Sequence, residues 1–234
     1  VICGPTCVGK TSVSIELAKI INGEIIVADS MQVYIGCDIG TAKPKKEERE
    51  KIKHHLIDII PPNKDFSAGE FRDRAKRVIF DILSRGKYPI ICGGTGLYIK
   101  AITDGLFYGP SKDERIREEL KELAKLKGKT YLWQILAEID PLYASKVSKN
   151  DLVRIIRAIE VYKLTNRPIS SFFSKEKQRD FNVYMYGLKR DRRELYSLIE
   201  RRVDKMIEEG LIKEVEKILN LNLSENTGAL KGIG

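Results

Sequence analysis

The sequence has no uninterrupted apolar stretch of about 18 residues, the length a helix needs to cross a bilayer, so a membrane-spanning helix is not among its expected elements. No basic, apolar and small-residue leader precedes the first motif, and a cytoplasmic protein without a membrane partner is expected. Cysteine is sparse. Cys3, Cys7, Cys37 and Cys92 show no C-x-x-C spacing, which argues against a zinc site and for reduced thiols. Only His54 and His55 represent histidine, and adjacent imidazoles without nearby Cys or spaced carboxylates suit a loop or structural role better than a metal centre. Acidic side chains are outnumbered, 33 against 42 Lys and Arg, for a net charge of +9. That excess suits a polyanionic partner, most simply nucleic acid, and equally a lysine-rich surface of a heat-adapted protein.

What is present begins with Gly4-Pro5-Thr6-Cys7-Val8-Gly9-Lys10-Thr11, a complete G-x-x-x-x-G-K-[ST] phosphate loop. Its glycines let the backbone curl until successive N–H groups face one anion, Lys10 adds a point charge, and the Thr11 hydroxyl can ligate Mg²⁺. Val1-Ile2-Cys3 reads as the end of a strand, and the segment from Thr11 to Ile21 as a helix with Val13, Leu17, Ile20 and Ile21 on one face. ATPases, small-molecule kinases and diphosphate-leaving transferases all use such a loop, so it leaves the reaction open.

At 234 residues with 42% apolar content, the chain suits one large α/β domain or a core with a smaller domain. Glu24 to Ala28 reads as a short strand that delivers Asp29-Ser30 into the same crevice as the phosphate loop, where Asp29 is a candidate water-mediated Mg²⁺ ligand, general base or turn cap. Met31 to Pro44 is a loop of the kind that carries binding groups, and the charge run from Lys45 to Lys53 reads as a solvated helix. Ser67 with Glu70 forms an expected capping box, ahead of a helix whose core positions are Phe71, Ala75, Val78, Ile79 and Ile82. Tyr88 to Cys92 is a buried strand that ends in Gly93-Gly94-Thr95-Gly96, a second glycine-rich turn in which Thr95 is the one side-chain donor.

Leu106 to Pro110 reads as a hinge. From Ser111 to about Phe173 the apolar period is helical, carried by Leu120, Leu123, Leu126, Leu132, Leu136, Ile155, Ile156 and Ile159 among others. Between Ser111 and Asp180 sixteen Lys or Arg stand against eleven Asp or Glu. Arg154 and Arg157 share a helix face, where they meet phosphates or pair with Asp151 and Glu160. Asn182 to Leu188 returns as a strand, followed by helices from Arg193 to about Gly210 and from Leu211 to about Leu219. The expected fold is α/β: a P-loop NTPase-like parallel sheet flanked by helices with an all-helical insertion, divided as 1–110, 111–181 and 182–234.

Taken together, the phosphate loop, Asp29-Ser30-Met31-Gln32-Val33-Tyr34, Asp38 to Pro44, His54-His55-Leu56-Ile57-Asp58, Gly93 to Tyr98 and Arg202-Val203-Asp204 with Gly210-Leu211 resemble the tRNA dimethylallyltransferases in order and spacing. The resemblance covers essentially the whole chain. It implies transfer of a dimethylallyl group from dimethylallyl diphosphate to N6 of the adenosine 3′ of the anticodon, releasing diphosphate, by a monomer that uses Mg²⁺. It implies that Gly4 to Thr11 (Gly4, Pro5, Thr6, Cys7, Val8, Gly9, Lys10, Thr11) hold diphosphate, with Thr11 also on the metal. Asp29, Thr95 and Arg202 would be catalytic, with Asp29 the base. Asp29, Ser30, Met31 and Gln32, with Val153, Arg154, Ile155, Ile156 and Arg157, would meet tRNA.

The chain departs from the family pattern at Cys7-Val8, at Val153, where glutamine is usual, and at Leu198, where arginine is common. Gly232-Ile233-Gly234 resembles the start of a Gly-Tyr-Lys-Glu motif, which implies a basic segment beyond it. A P-loop kinase with ATP in the loop and a small metabolite at Asp29 also explains the first hundred residues, but leaves the basic helical stretch without a role.

Overall fold

The computed structural model describes residues 1–107, 109–173, 180–221, 223 and 227–231. The C-terminal Gly232-Ile233-Gly234 motif, Tyr108 of the expected hinge and residues 174–179 lie outside them. The chain divides into two compact units, Val1–Gly105 with Arg179–Gly234, and Leu106–Gln178.

The first unit is built on five parallel strands: β1 (Ile2–Cys3), β2 (Gly23–Val27), β3 (His54–His55), β4 (Tyr88–Gly93) and β5 (Tyr186–Gly187), in the spatial order β3-β2-β4-β1-β5. All five residues of β2 are buried, which is what a central parallel strand covered on both faces requires. Cys3 pairs with Gly93 and Val27 with Cys92, so the chain leaves β1, β2 and β4 at nearly one level. Gly93 is where two backbones meet: a Cβ there would sit 2.1 Å from the Ala28 carbonyl oxygen, so no larger residue fits without moving β2. β5 is shorter than the expected 182–188 strand, although backbone bonds to Val1 and Cys3 run from Tyr184 to Leu188.

Helices cover the two faces. α1 (Lys10–Ile21) packs on one, with Ile15 and Ala18 against Ile25, Val27 and Ile90. The expected apolar face of α1 is rotated: Ser14, Ile15 and Ala18 are buried, whereas Val13 and Ile20 are 44% and 80% exposed. Small residues let the helix approach the sheet closely, so Ser14 and Ala18, and not Val13 and Ile20, mark the contact. On the other face, α3 (Ala68–Ser84) and α4 (Gly96–Thr103) bury Phe71, Ala75, Ile79, Ile82, Tyr98 and Ile102 with Ile26 and Ile91. The capping box forms as expected: Ser67 Oγ accepts from Glu70 N at 3.1 Å and Glu70 Oε2 accepts from Ser67 N at 2.9 Å. α2 (Lys46–Lys51) buries nothing, as a solvated charge run should.

Beneath β2, Glu24 is 2% exposed and accepts from Arg85 (2.5 and 2.8 Å), Lys87 (2.9 Å) and His55 Nε2 (2.7 Å). The Arg85 guanidinium, with Lys87 and His55, outweighs burial and holds the Glu24 carboxyl far below the usual carboxylate range.

The second unit is helical: α5 (Glu114–Lys127), α6 (Lys129–Ile139), α7 (Pro141–Ala144) and α8 (Leu152–Thr165), with a short 3₁₀ turn at Ile169–Phe172. Its core joins Leu120, Leu132, Leu136, Ile155, Ile159 and Val161, while Leu126 in the last turn of α5 is 82% exposed. Glu160 is fully buried and accepts from Arg117 (2.7 and 3.0 Å), Arg157 (2.6 Å) and the Asp113 amide (2.8 Å). Burial pushes this carboxyl up, but the two guanidiniums and the amide outweigh it and hold it below its ordinary value.

In the first unit, α9 (Arg192–Glu208) and α10 (Leu211–Leu219) are joined at Gly210 in a left-handed conformation (φ 101°), and a 3₁₀ turn follows at Gly228–Lys231.

Candidate active site

A cleft of about 510 Å³ opens where the chain leaves β1, β2 and β4. In an open parallel sheet this is where ligands sit, because loops from several strands converge there. The phosphate loop forms one wall. Cys7 takes a left-handed conformation (φ 59°) and Gly9 another (φ 98°), which turns the backbone toward the first turn of α1. Thr6, Cys7, Gly9, Lys10 and Thr11 all line the cleft. Gly4, Pro5 and Val8 are not among the lining residues, and the Val8 side chain is buried. Lys10 Nζ donates to the carbonyls of Gly4 (2.9 Å) and Pro5 (2.7 Å), and burial lowers its affinity for its proton.

Opposite, α9 reaches back over the loop. Arg202 Nη1 donates to Thr6 Oγ1 at 3.1 Å and lies 3.5 Å from Cys7 Sγ. Two cations and a helix N-terminus therefore border one space, an arrangement that holds a polyanion.

Asp29 lines the same cleft. Its Oδ1 accepts from the amides of Met31 (2.9 Å) and Gln32 (3.3 Å), and Oδ2 has no hydrogen-bond partner among the described residues. The residue is thus a turn cap and an oriented carboxylate at once. Met31 and Gln32 line the cleft as well. Thr95 is not among the residues lining the cleft; its Oγ1 accepts from Ser30 N (2.9 Å) and stands 3.4 Å from Ser30 Oγ, tying the turn after β4 to the turn after β2. The second glycine-rich turn does approach the phosphate loop, since a Cβ on Gly94 would lie 3.7 Å from the Gly4 carbonyl and 3.9 Å from Lys10 Nζ.

The 153–157 segment resolves into two kinds of residue on α8 of the helical unit. Val153 and the Arg154 side chain are exposed, 81% and 65%. Ile155 and Ile156 are core, and Arg157 is held by Glu160 and by the Pro110 carbonyl at 2.8 Å. Arg154 pairs with Asp151 at 3.3 Å in solvent.

The IPP transferase family model matches residues 32–234. A tRNA dimethylallyltransferase 2 of Geotalea daltonii is 50% identical over all of this chain and 72% of its own length, and a tRNA dimethylallyltransferase of Carboxydothermus hydrogenoformans is 50% identical over all of this chain and 76% of its own. The chain belongs to the IPP transferase family. The solved tRNA isopentenylpyrophosphate transferase of Bacillus halodurans superposes with a TM-score of 0.69 at 42% identity, covering all of this chain and 73% of that one. A eukaryotic dimethylallyltransferase acting on tRNA gives a TM-score of 0.85 at 29% identity, covering all of this chain and 60% of that one.

In this IPP transferase family member the cleft has a second wall that motif spacing did not reveal. Leu211, Glu214, Val215 and Ile218 of α10 line it together with Cys37, Gly40 and Thr41, the loop against which α10 packs, and Ile25 and Val27 line it as well. The phosphate end is polar and this end is largely apolar. Glu214 accepts from three consecutive amides, Asp38 (2.9 Å), Ile39 (2.8 Å) and Gly40 (3.0 Å), although 174 or more residues separate it from them. His54 also lines the cleft, with Nδ1 2.7 Å from the Ile52 carbonyl and Nε2 the one buried side-chain nitrogen or oxygen without a partner among the described residues. On the α10 side the Gly210-Leu211 pair was the one sequence cue, whereas Cys37, Gly40 and Thr41 fall in the Met31 to Pro44 stretch already marked as a binding loop.

Proposed function

We propose that the protein transfers the dimethylallyl group of dimethylallyl diphosphate to N6 of the adenosine 3′ of the anticodon in tRNA, releasing diphosphate. The observation that carries this reading is a single cleft in which a phosphate cradle, a carboxylate with one free oxygen and an apolar wall stand together. Dimethylallyl diphosphate has the matching ends: two phosphates for the loop and a small branched hydrocarbon for the apolar wall.

In the reaction the N6–C1 bond forms as the C1–O bond to diphosphate breaks. Charge grows on the leaving oxygen. Lys10, Arg202 and the loop amides stabilise that charge more strongly in the transition state than in the ground state, which is what accelerates the step. The N6 lone pair is delocalised into the ring, so attack gains from a base that takes the N6 proton as the bond forms. Asp29 Oδ2 accepts it, and the Met31 and Gln32 amides hold Oδ1 so that Oδ2 keeps its direction. Thr95 acts by fixing the Ser30 turn that carries these amides.

Mg²⁺ fits the donor set. The cleft supplies the Thr11 hydroxyl and the Asp29 carboxylate, and no cluster of three or more His, Cys, Asp or Glu able to hold a metal occurs among the described residues. Mg²⁺ characteristically binds through substrate phosphates with one or two protein oxygens and water. When bound, it neutralises charge on diphosphate.

The helical unit is the tRNA-facing part of this proposal. Lys and Arg exceed Asp and Glu there, and Arg154 is exposed, as cations that meet backbone phosphates would be. The target adenosine must leave its stack to reach the cleft. A cytoplasmic enzyme acting as a monomer is part of the proposal, tRNA being found in that compartment. A metabolite kinase leaves unexplained why the family match runs through the helical unit. The test is release of diphosphate from dimethylallyl diphosphate: release that requires an anticodon stem-loop RNA supports the proposal, whereas ATP turnover with a small acceptor and no RNA dependence contradicts it.

A further inference from the structure

Gln32 lines the cleft beside Asp29, and its amide has a definite orientation. Nε2 donates to the carbonyls of Thr41 (2.9 Å) and Ala42 (3.3 Å). Both partners are pure acceptors, so the reverse orientation would set three oxygens against one another and is ruled out by the network itself. Oε1 has no hydrogen-bond partner among the described residues.

The carbonyls that orient Gln32 belong to a loop folded on itself, with Ala42 N on Ile39 O (2.9 Å), Lys43 N on Asp38 O (3.0 Å) and Thr41 Oγ1 on Cys37 O (2.6 Å). The loop is secured from below by Lys43, whose buried Nζ donates to the Tyr34 carbonyl at 2.5 Å and to the Asp38 and Asp58 carboxylates. From the other side it is secured by Glu214 on the amides of Asp38, Ile39 and Gly40. Three N–H groups converging on one carboxylate make an anion nest, and each bond is charge-assisted. Gly40 permits the approach of α10, because a Cβ there would stand 3.1 Å from Leu211 Cδ1.

We infer that Glu214 is a positioning residue for recognition of the acceptor base, acting through the 38–42 loop on Gln32. This rests on the transferase reading above. Asp29 Oδ2 and Gln32 Oε1 are two acceptors from one turn, both residues lining the cleft, and an exocyclic amino group has two N–H donors. One N–H goes to Asp29 and is lost in the reaction; the other goes to Gln32 and stays. A base with a carbonyl at that position would present an acceptor to two acceptors and be rejected. Glu214 touches neither base nor diphosphate. Its effect is to hold the loop whose carbonyls point Gln32 the right way.

The experiment is a double-mutant cycle on the full-length enzyme with Glu214→Ala, Gln32→Ala and the pair, using an anticodon stem-loop RNA with adenosine or inosine at the target position. Glu214→Ala is expected to raise KM for the adenosine RNA by about 10-fold, the order expected for losing charged hydrogen bonds. KM for dimethylallyl diphosphate should stay within about 2-fold. The variant should also narrow the binding preference for adenosine over inosine RNA. The pair should be no worse than Gln32→Ala alone, because both act through one contact. Glu214→Gln, which keeps an acceptor, should recover part of the loss. Hydrogen exchange at the amides of residues 38–40 should speed up in Glu214→Ala and not in Gln32→Ala.

Additive losses in the pair, an unchanged KM for RNA, or an equal rise in KM for both substrates would overturn the inference. A wild-type enzyme inert toward the RNA would overturn the transferase reading and this inference with it. Protected amides at 38–40 in that inert enzyme would show a structural clamp alone.

Discussion

Asp29→Asn separates the two roles that the structure gives this side chain. The amide oxygen of asparagine replaces Oδ1 and keeps the bonds from Met31 and Gln32, at 2.9 and 3.3 Å, so the turn after β2 should survive. What changes is Oδ2, which becomes an NH₂ that cannot take a proton. General-base assistance is worth about 10²–10⁴-fold, or roughly 3–5 kcal/mol of barrier, and that is the predicted loss in single-turnover transfer at saturating RNA and dimethylallyl diphosphate. Asp29→Ala loses the base and both amide bonds. Hydrogen bonds to a charged acceptor are worth about 1.5–3 kcal/mol, so the alanine variant should melt several degrees lower while the asparagine variant melts close to wild type. Binding of inorganic diphosphate, followed by calorimetry, should be unchanged in Asp29→Asn because Lys10, Arg202 and the loop amides are untouched. Turnover within about 3-fold of wild type would remove Asp29 as the base. Loss of diphosphate binding would instead make it a metal ligand first.

Arg202→Ala should lower the transfer rate about 10²–10³-fold, the cost of one preorganised donor to a developing negative charge, and Arg202→Lys should recover only part of it; single-turnover rates decide. Arg154→Ala should weaken stem-loop RNA binding a few-fold and reduce the salt slope by about one, whereas Arg157→Ala should leave the slope alone and lower the melting temperature, because Glu160 loses a buried partner; salt titrations and melts distinguish the two. Glu24 should give the fold an acid limb. Its carboxyl is held far below the unfolded value of about 4.3, so its stabilisation is complete above that pH and fades as pH falls toward the folded value. Glu24→Gln should lower the melting temperature by roughly 5 °C at pH 7 and flatten this acid dependence, read from melts between pH 7 and pH 3.

The parts of the site that sequence made legible are those coded by spacing within one turn or by position at a strand end. The phosphate loop is eight consecutive residues, and Asp29 follows a buried strand, so neither needs knowledge of distant contacts. Hydrophobicity alone marks Val13 and Ile20 on α1, while the sheet-facing positions are Ile15 and the smaller Ser14 and Ala18. Helical spacing put Arg154 and Arg157 on one face but could not show that Glu160 also holds Arg117, 43 residues away, which draws Arg157 into the core network. Glu214 was invisible for the same reason. It stands in a helix of mixed charge, and the amides it receives belong to a loop at the other end of the sequence.

The central claim is tested most directly by mass spectrometry of nucleosides from unmodified tRNA incubated with the enzyme, Mg²⁺ and dimethylallyl diphosphate, beside a tube containing ATP instead. The account predicts an adenosine heavier by one five-carbon unit, carried at N6 of the residue 3′ of the anticodon, in the first tube only. Unmodified adenosine in the first tube with ATP consumed in the second would contradict it.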